Sequence, residues 1–351
     1  MLFVAFLAAV LWGIGALMRV PHAARFYMLG LLFVIVLALQ IILPDGHPLR
    51  EATGGSPALW LMIAGGVVLG LLYRLGWQQL KRRAEAIETA RAETAPVQPT
   101  GPFSDEELER YARQITLPDI GGGGQRALKE ARVLVVGAGG IGSPVLLYLA
   151  GAGVGRLGII DPDTVALSNL HRQVIHTDDN QGMPKVFSAQ QAVKALNPHV
   201  DLRPYHRALT PDIAETLFND YDLILDGTDT YQARAMVGRA ATATGRPVIA
   251  GAISAWEGQV TIYDPADGAP CFACLFPKAP SPDMAATCSQ TGVIGALPGV
   301  IGTMMAVETI KHITGAGQGL RGRMLIYDAL HAETRNVRVA RRADCTVCGD
   351  I

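Results

Sequence analysis

The chain has 351 residues and a formal net charge of −1 at pH 7; half of its residues are apolar and 17% are charged, against about 25% in an ordinary globular domain. So even a balance disfavours a nucleic-acid binder, which needs a basic face to neutralise phosphates, and the apolar content excludes a disordered chain. Five cysteines, four of them in two C-x-x-C pairs, do not make a secreted disulfide scaffold at this length.

The charge deficit is concentrated at the start. Residues 1–80 carry only Arg19, Arg25, Asp45, Arg50, Glu51 and Arg74. Three apolar runs, about 2–18, 26–43 and 58–77, have lengths close to the roughly 20 helical residues that cross a bilayer core of ~30 Å. A secretory signal would need a basic segment before its apolar stretch, and nothing basic precedes Leu2. Three transmembrane helices are therefore predicted in a membrane region spanning 1–80, with the lipid bilayer as a partner. Arg19 and Arg25 lie in the first loop, a loop of net −1 lies in the second, and Lys81-Arg82-Arg83 follows the third run. Positive charge marks the cytoplasmic side. This predicts a multi-pass protein of the inner (plasma) membrane, with an external N-terminus and everything after residue 80 in the cytoplasm. Trp60 and Trp77 suit interfacial anchors.

Residues 81–93 are rich in helix formers and prolong the third run; 94–102 read as a proline-containing linker within an 81–103 connection. Ser104 followed by Glu107 is a capping box that opens the next helix, and a soluble domain is expected over 104–351. Gly121–Gly124 reads as a flexible connection.

Arg132–Val136 (RVLVV) is a short β-branched run that ends in Gly137-Ala-Gly139-Gly140-Ile-Gly142. A helical pattern over 141–152 follows, and then a second strand, Arg156–Ile160, which ends on Asp161, 19 residues after the last glycine. These are the parts of a Rossmann fingerprint, in which glycines let backbone N–H groups and a helix N-terminus approach phosphates. Further strands are expected at 222–226, 247–251, 258–263 and 324–327, and helices at 231–244 and 299–314, an α/β pattern with a mixed sheet. The fingerprint alone means "nucleotide" and defaults to a dehydrogenase. Yet Arg113 precedes the first strand, Asn169 and Arg172 follow Asp161, Lys185 opens a helix, and Asp229 ends a strand. Three cations with a carboxylate suit chemistry at a triphosphate with Mg²⁺ better than hydride transfer. There is no G-x-x-x-x-G-K-[ST] loop.

RYARQ, GAGGIGSP, DPDTVALSNLHRQ, MPK, DGTDT and the paired C-x-x-C motifs, all in family order from about Ser104 to Gly349, resemble the MoeB/ThiF/HesA family, relatives of the ubiquitin-activating enzymes; VIHTDDNQGMPKVFSA and AISAWEGQVTIY are most similar to the MoeB type. The resemblance implies a Rossmann-like ATP-binding domain. It also implies ATP-dependent adenylation of the C-terminal glycine of a ubiquitin-fold sulfur carrier, of the molybdopterin-synthase small-subunit type. Activation of a thiamine-pathway carrier, or a tRNA-modifying dehydratase relative, is the alternative within the family; a membrane NAD oxidoreductase and a non-catalytic scaffold lie outside it. Carried over by resemblance, Gly137, Gly139, Gly140 and Gly142 form the phosphate loop and Asp161 takes the ribose. Asn169, Arg172 and Lys185 line the site or hold phosphates, Asp229 binds Mg²⁺, and Thr230 stands where asparagine is usual. Arg113 resembles an arginine that reaches the partner's ATP across a homodimer. Cys271, Cys274, Cys345 and Cys348, in two C-x-x-C pairs 70 residues apart, suit a structural Zn²⁺, with a redox pair or disulfides as alternatives. Cys288, in a proline-rich stretch suited to a lid, resembles a crossover-loop cysteine that in some members links covalently to the carrier. His171 and His176 read as polar loop residues. With no rhodanese-like extension after Ile351, the sulfur donor is expected to be a separate protein.

Overall fold

The computed structural model describes residues 2–93, 101–279 and 292–351. They divide into two compact units, Met1–Gln98 and Pro99–Ile351.

The first unit is helical: α1 (Leu2–Leu17), α2 (His22–Ile42), α3 (Pro48–Thr53) and α4 (Pro57–Glu93). Two segments, His22–Ile42 and Trp60–Lys81, are long and apolar enough to cross a membrane, and only 11% and 6% of their apolar windows are buried. The expectation of three such helices is corrected. α1 has 16 residues, which at 1.5 Å per residue is about 24 Å, short of a ~30 Å core. Trp60 also departs from its expected role as an interfacial anchor. It is buried, packs its ring 5.6 Å from that of Phe33, and donates its indole N–H to the Thr53 carbonyl at 3.1 Å. Gln40 at the end of α2 donates to Thr53 Oγ1 at 2.7 Å and so ties α3 back to α2.

The second unit begins with α5 (Asp105–Ile115). Ser104 Oγ accepts from the Glu107 N–H and the Glu107 carboxylate accepts from the Ser104 N–H, the reciprocal pair that the sequence predicts. α6 (Gly121–Glu130) then corrects a second expectation, because the four glycines form the start of a helix and not a flexible connection. Tertiary contacts outweigh glycine's poor helix propensity: buried Gln125 accepts from Gln114 at 2.6 Å and donates to the Ala152 carbonyl at 2.9 Å, and Leu128 is fully buried.

The remaining elements are β1 (Arg132–Val136), α7 (Gly142–Ala152), β2 (Arg156–Ile160), α8 (Lys185–Leu196), β3 (Asp201–Tyr205), α9 (Pro211–Asn219), β4 (Leu223–Asp226), α10 (Tyr231–Thr244), β5 (Val248–Ile253), β6 (Glu257–Tyr263), α11 (Phe272–Leu275), α12 (Leu297–Thr314), β7 (Arg323–Asp328) and β8 (Glu333–Arg338). One eight-stranded sheet runs β3-β2-β1-β4-β5-β6-β7-β8. The first five strands in that order are parallel, and β6, β7 and β8 add on antiparallel. The expected mixed α/β sheet is therefore present. Its parallel strands read as unbroken apolar runs because helices cover both faces. On one face Leu128, Leu149, Val186, Ile301 and Met305 pack onto Val133, Val135, Leu157 and Ile159. On the other, Phe218, Tyr221, Val237 and Phe272 pack onto Leu134, Val136 and Ile224. Each such fully buried side chain contributes about 1.5–3 kcal/mol.

Candidate functional site

The strand order reverses between β1 and β4, and a parallel sheet opens a crevice at the carboxyl ends of its strands at that point. Here the crevice is a cleft of about 530 Å³, lined by the loops that leave β1, β2 and β4. Of the residues singled out in the sequence, Gly137, Gly139, Gly140, Asp161, Asn169, Arg172, Lys185 and Asp229 line it together.

The glycine loop has a defined mechanical basis. Gly137 sits at φ +98°, a conformation that side chains resist. Gly142 does not line the cleft; it stands behind the loop, where a Cβ would overlap the Gly137 carbonyl oxygen. This close approach brings the start of α7 against β1, and the N–H groups of Gly139 and Gly140 have no acceptor among the described residues. Two unpaired donors beside a helix N-terminus form an anion site.

Asp161 is buried, but its first task is structural: Oδ2 accepts from the Ala138 N–H at 2.7 Å and Oδ1 from the Asp163 N–H at 2.8 Å. Each carboxylate oxygen keeps a further lone pair. Lys185, 4% exposed at the first position of α8, pairs with Asp163 Oδ2 at 2.8 Å. Arg172 is held by Asn169 Oδ1 at 2.9 Å and the Ser168 carbonyl at 3.2 Å. The two cations are thus fixed by neighbours before any anion arrives.

Across the cleft, Asp226 ends β4 and is buried. Burial raises its pKa, opposed by Arg234 and by the Thr228 N–H and hydroxyl, which donate to Oδ1 at 2.9 and 2.7 Å. Arg234 donates twice to the Thr228 carbonyl, at 3.0 and 2.7 Å. The loop is therefore braced, and it presents Asp229 exposed at the cleft wall. Thr230 does not line the cleft; its hydroxyl caps α10 by accepting from the Ala233 N–H at 3.2 Å. Arg113 is not brought to the cleft either. It is exposed on the last turn of α5, and its guanidinium makes no hydrogen bond or ion pair among the described residues.

Sequence reasoning passed over Arg234, Asp163, Thr228 and Gln173. Gln173 follows Arg172 directly, is 4% exposed and lines the cleft, and its Oε1 is buried with no partner. Such an orphan in a polar crevice fits a site built to be filled by a ligand.

Cys271, Cys274, Cys345 and Cys348 are brought together and buried, with all sulfurs within 4.8 Å of one another and close pairs at 3.4, 3.5 and 3.8 Å. A tetrahedral zinc with 2.3 Å sulfur bonds sets sulfur–sulfur edges of about 3.8 Å, so the donor set fits that ion. Burial pushes the Cys271 thiol up. At Cys345 burial acts the same way but is outweighed by the Val347 and Cys348 N–H groups and by the Cys271 and Cys274 thiols, leaving it at about 7. The Arg342 N–H donates to Cys274 Sγ at 3.4 Å, and Arg341 donates to the Cys348 carbonyl. Cys288 lies outside the described residues.

Fold and cleft together define a Rossmann-like nucleotide-binding domain with a phosphate loop and an added antiparallel strip. The profile of the ThiF family matches residues 111–347, and the chain belongs to that family. It is 45% identical over 252 residues to a sulfur carrier protein adenylyltransferase of Thermus thermophilus, covering 71% of this chain and 93% of that one. It is 44% and 43% identical to the adenylyltransferase and sulfurtransferase MOCS3 of Culex quinquefasciatus and Bos taurus, covering 71% and 77% of this chain but only 57% and 60% of theirs. Among solved structures, Escherichia coli MccB superposes with a TM-score of 0.61 at 19% identity, over 75% of this chain and 83% of that one. PaaA superposes with a TM-score of 0.55 at 24% identity, over 80% and 90%. These two likenesses concern the fold.

Proposed function

We propose that this protein is an ATP-dependent adenylyltransferase that activates the C-terminal glycine carboxylate of a ubiquitin-fold sulfur carrier and releases pyrophosphate. The observation that carries this reading is the cleft itself, where two pre-anchored cations, Lys185 and Arg172, line the same crevice as Gly139 and Gly140, whose N–H groups are unpaired among the described residues. The names of the relatives point the same way. In the reaction a carboxylate oxygen of the carrier bonds to the α-phosphorus and the bond to the pyrophosphate oxygen breaks. Arg172 and Lys185 stabilise the charge that develops on the phosphate oxygens, where preorganised donors are most effective. Asp161 keeps lone pairs for ribose hydroxyls. Asp229, exposed at the cleft beside Thr230, would hold Mg²⁺, which when bound supplies charge neutralisation at the triphosphate. Arg113, exposed and unpaired, is proposed to serve the cleft of a second copy in a homodimer. Zn²⁺ at the four cysteines is structural, because four sulfur ligands leave no open position.

The test is ATP–pyrophosphate exchange by the full chain with candidate carriers. Cys288→Ala is expected to retain exchange, because carboxylate attack on phosphorus needs no thiol. Loss of exchange at an unchanged melting temperature would place Cys288 in the first half-reaction.

The first unit is proposed to anchor the protein in the inner (plasma) membrane through α2 and the Trp60–Lys81 part of α4. Support comes from their unburied apolar faces and from cations at positions 19, 25 and 81–83, which mark the cytoplasmic side. The catalytic unit is then cytoplasmic and the 44–57 segment external. With these two crossings the residues before α2 lie on the cytoplasmic side, not outside as three crossings would place them. Ser56→Cys is expected to react with an impermeant thiol reagent in intact cells, whereas Cys288 stays unlabelled. Labelling of Cys288 from outside would overturn this orientation.

A further inference from the structure

His176 is 6% exposed and sits between the glycine loop and α8. Its Nε2 lies 2.9 Å from the Ala138 carbonyl oxygen, which can only accept, so Nε2 carries the ring proton. Nδ1 is then an acceptor, and the Ser188 hydroxyl donates to it across 2.9 Å. Ser188 Oγ in turn accepts from the Asn180 amide at 3.0 Å. With the ring neutral, every hydrogen in this chain has one consistent direction. Burial lowers the ring's pKa, as does the nearby Lys185 charge, against the Ala138 carbonyl and Asp161, which raise it.

Ala138 is thereby gripped from both sides, its N–H by Asp161 and its C=O by His176. The second grip matters for the residue that follows. The Ala138 C=O and the Gly139 N–H belong to one trans peptide plane and point in opposite directions, so fixing the first aims the second. Because residue 139 is glycine, this plane could otherwise turn over at little cost. The Gly139 N–H is one of the two unpaired donors at the cleft.

We propose that His176 is a positioning residue for phosphate recognition, which locks the 138–139 peptide plane so that the Gly139 N–H faces the triphosphate. The proposal rests on the nucleotide reading above and adds a residue that the sequence analysis treated as a polar loop position.

Calorimetric titration of the full chain in detergent micelles with ATP and with adenosine tests it. His176→Phe keeps the ring's bulk and removes both nitrogens; ATP affinity is expected to fall about tenfold, the scale of one hydrogen bond, while adenosine affinity stays within about twofold of the unsubstituted protein. His176→Gln, which restores a donor near Nε2, is expected to recover most of the loss. Should His176→Phe not fold, Ser188→Ala is expected to weaken ATP selectively by a few-fold. Unchanged ATP affinity in these variants, or an equal loss for adenosine, would overturn the proposal alone. Failure of the unsubstituted protein to bind ATP would overturn the nucleotide reading and this one with it.

Discussion

Replacing Asp229 with alanine is expected to lower ATP–pyrophosphate exchange by about a hundredfold to a thousandfold, the usual cost of removing one preorganised electrostatic group from such a site. The melting temperature should barely move. Asp229 is exposed, and the loop that carries it is braced from within by Asp226, Thr228 and Arg234, not by Asp229 itself. Surface substitutions of this kind change stability by about 0.5 kcal/mol or less. Exchange at the unsubstituted rate would remove Asp229 from the catalytic assignment. A large fall in melting temperature would show that it supports the loop instead.

The second large effect is expected at the cysteines. The purified protein should contain one zinc per chain, and Cys274→Ser should lose it. Ligand loss leaves three buried sulfurs without their common partner and replaces the sulfur that accepts from the Arg342 N–H with a smaller hydroxyl. A destabilisation of several kcal/mol follows, and in a domain of this size it corresponds to a fall in melting temperature on the order of 10 °C. Nucleotide affinity should change much less, because none of these four cysteines lines the cleft. Metal analysis that finds no zinc in the unsubstituted protein would end this assignment.

Much of the catalytic unit was legible in the sequence because its signals are local. The capping box of α5, the β1–glycine–α7–β2 unit and α10 are found where periodicity and turn chemistry predict them. The elements that escaped notice depend on distant partners. β3 reads as polar and contains Pro204, which is tolerated because the strand lies at the sheet edge. β8 is exposed along its whole length and shows no apolar alternation, so it is a strand only because β7 pairs with it. α6 begins with four glycines that no propensity scale favours. The site divides in the same way. Motif residues that line the cleft could be found by spacing, whereas the buried, unpartnered Oε1 of Gln173 and the contacts of Arg234 and His176 are visible only after folding. In the first unit, hydropathy located the helices but could not tell a 16-residue apolar helix from a full crossing, nor find the Trp60 hydrogen bond that turns that side chain inward.

The four cysteines have one more consequence, which belongs to the unfolded chain. They join positions 271–274 to 345–348, so a metal held there closes a loop of about 70 residues that contains α12, β7 and β8. A cross-link around a loop of that length removes conformational freedom worth on the order of 4 kcal/mol from the disordered ensemble. Part of the clamp's effect is therefore exerted where no native contact exists. With the metal bound, α12 and the two antiparallel strands cannot diffuse far from the end of β6, and the search for their long-range pairing is shortened. Refolding in the presence of a chelator should accordingly be slowed most in the antiparallel strip, while the nucleotide half of the sheet, whose pairings do not cross the clamp, assembles at its own pace.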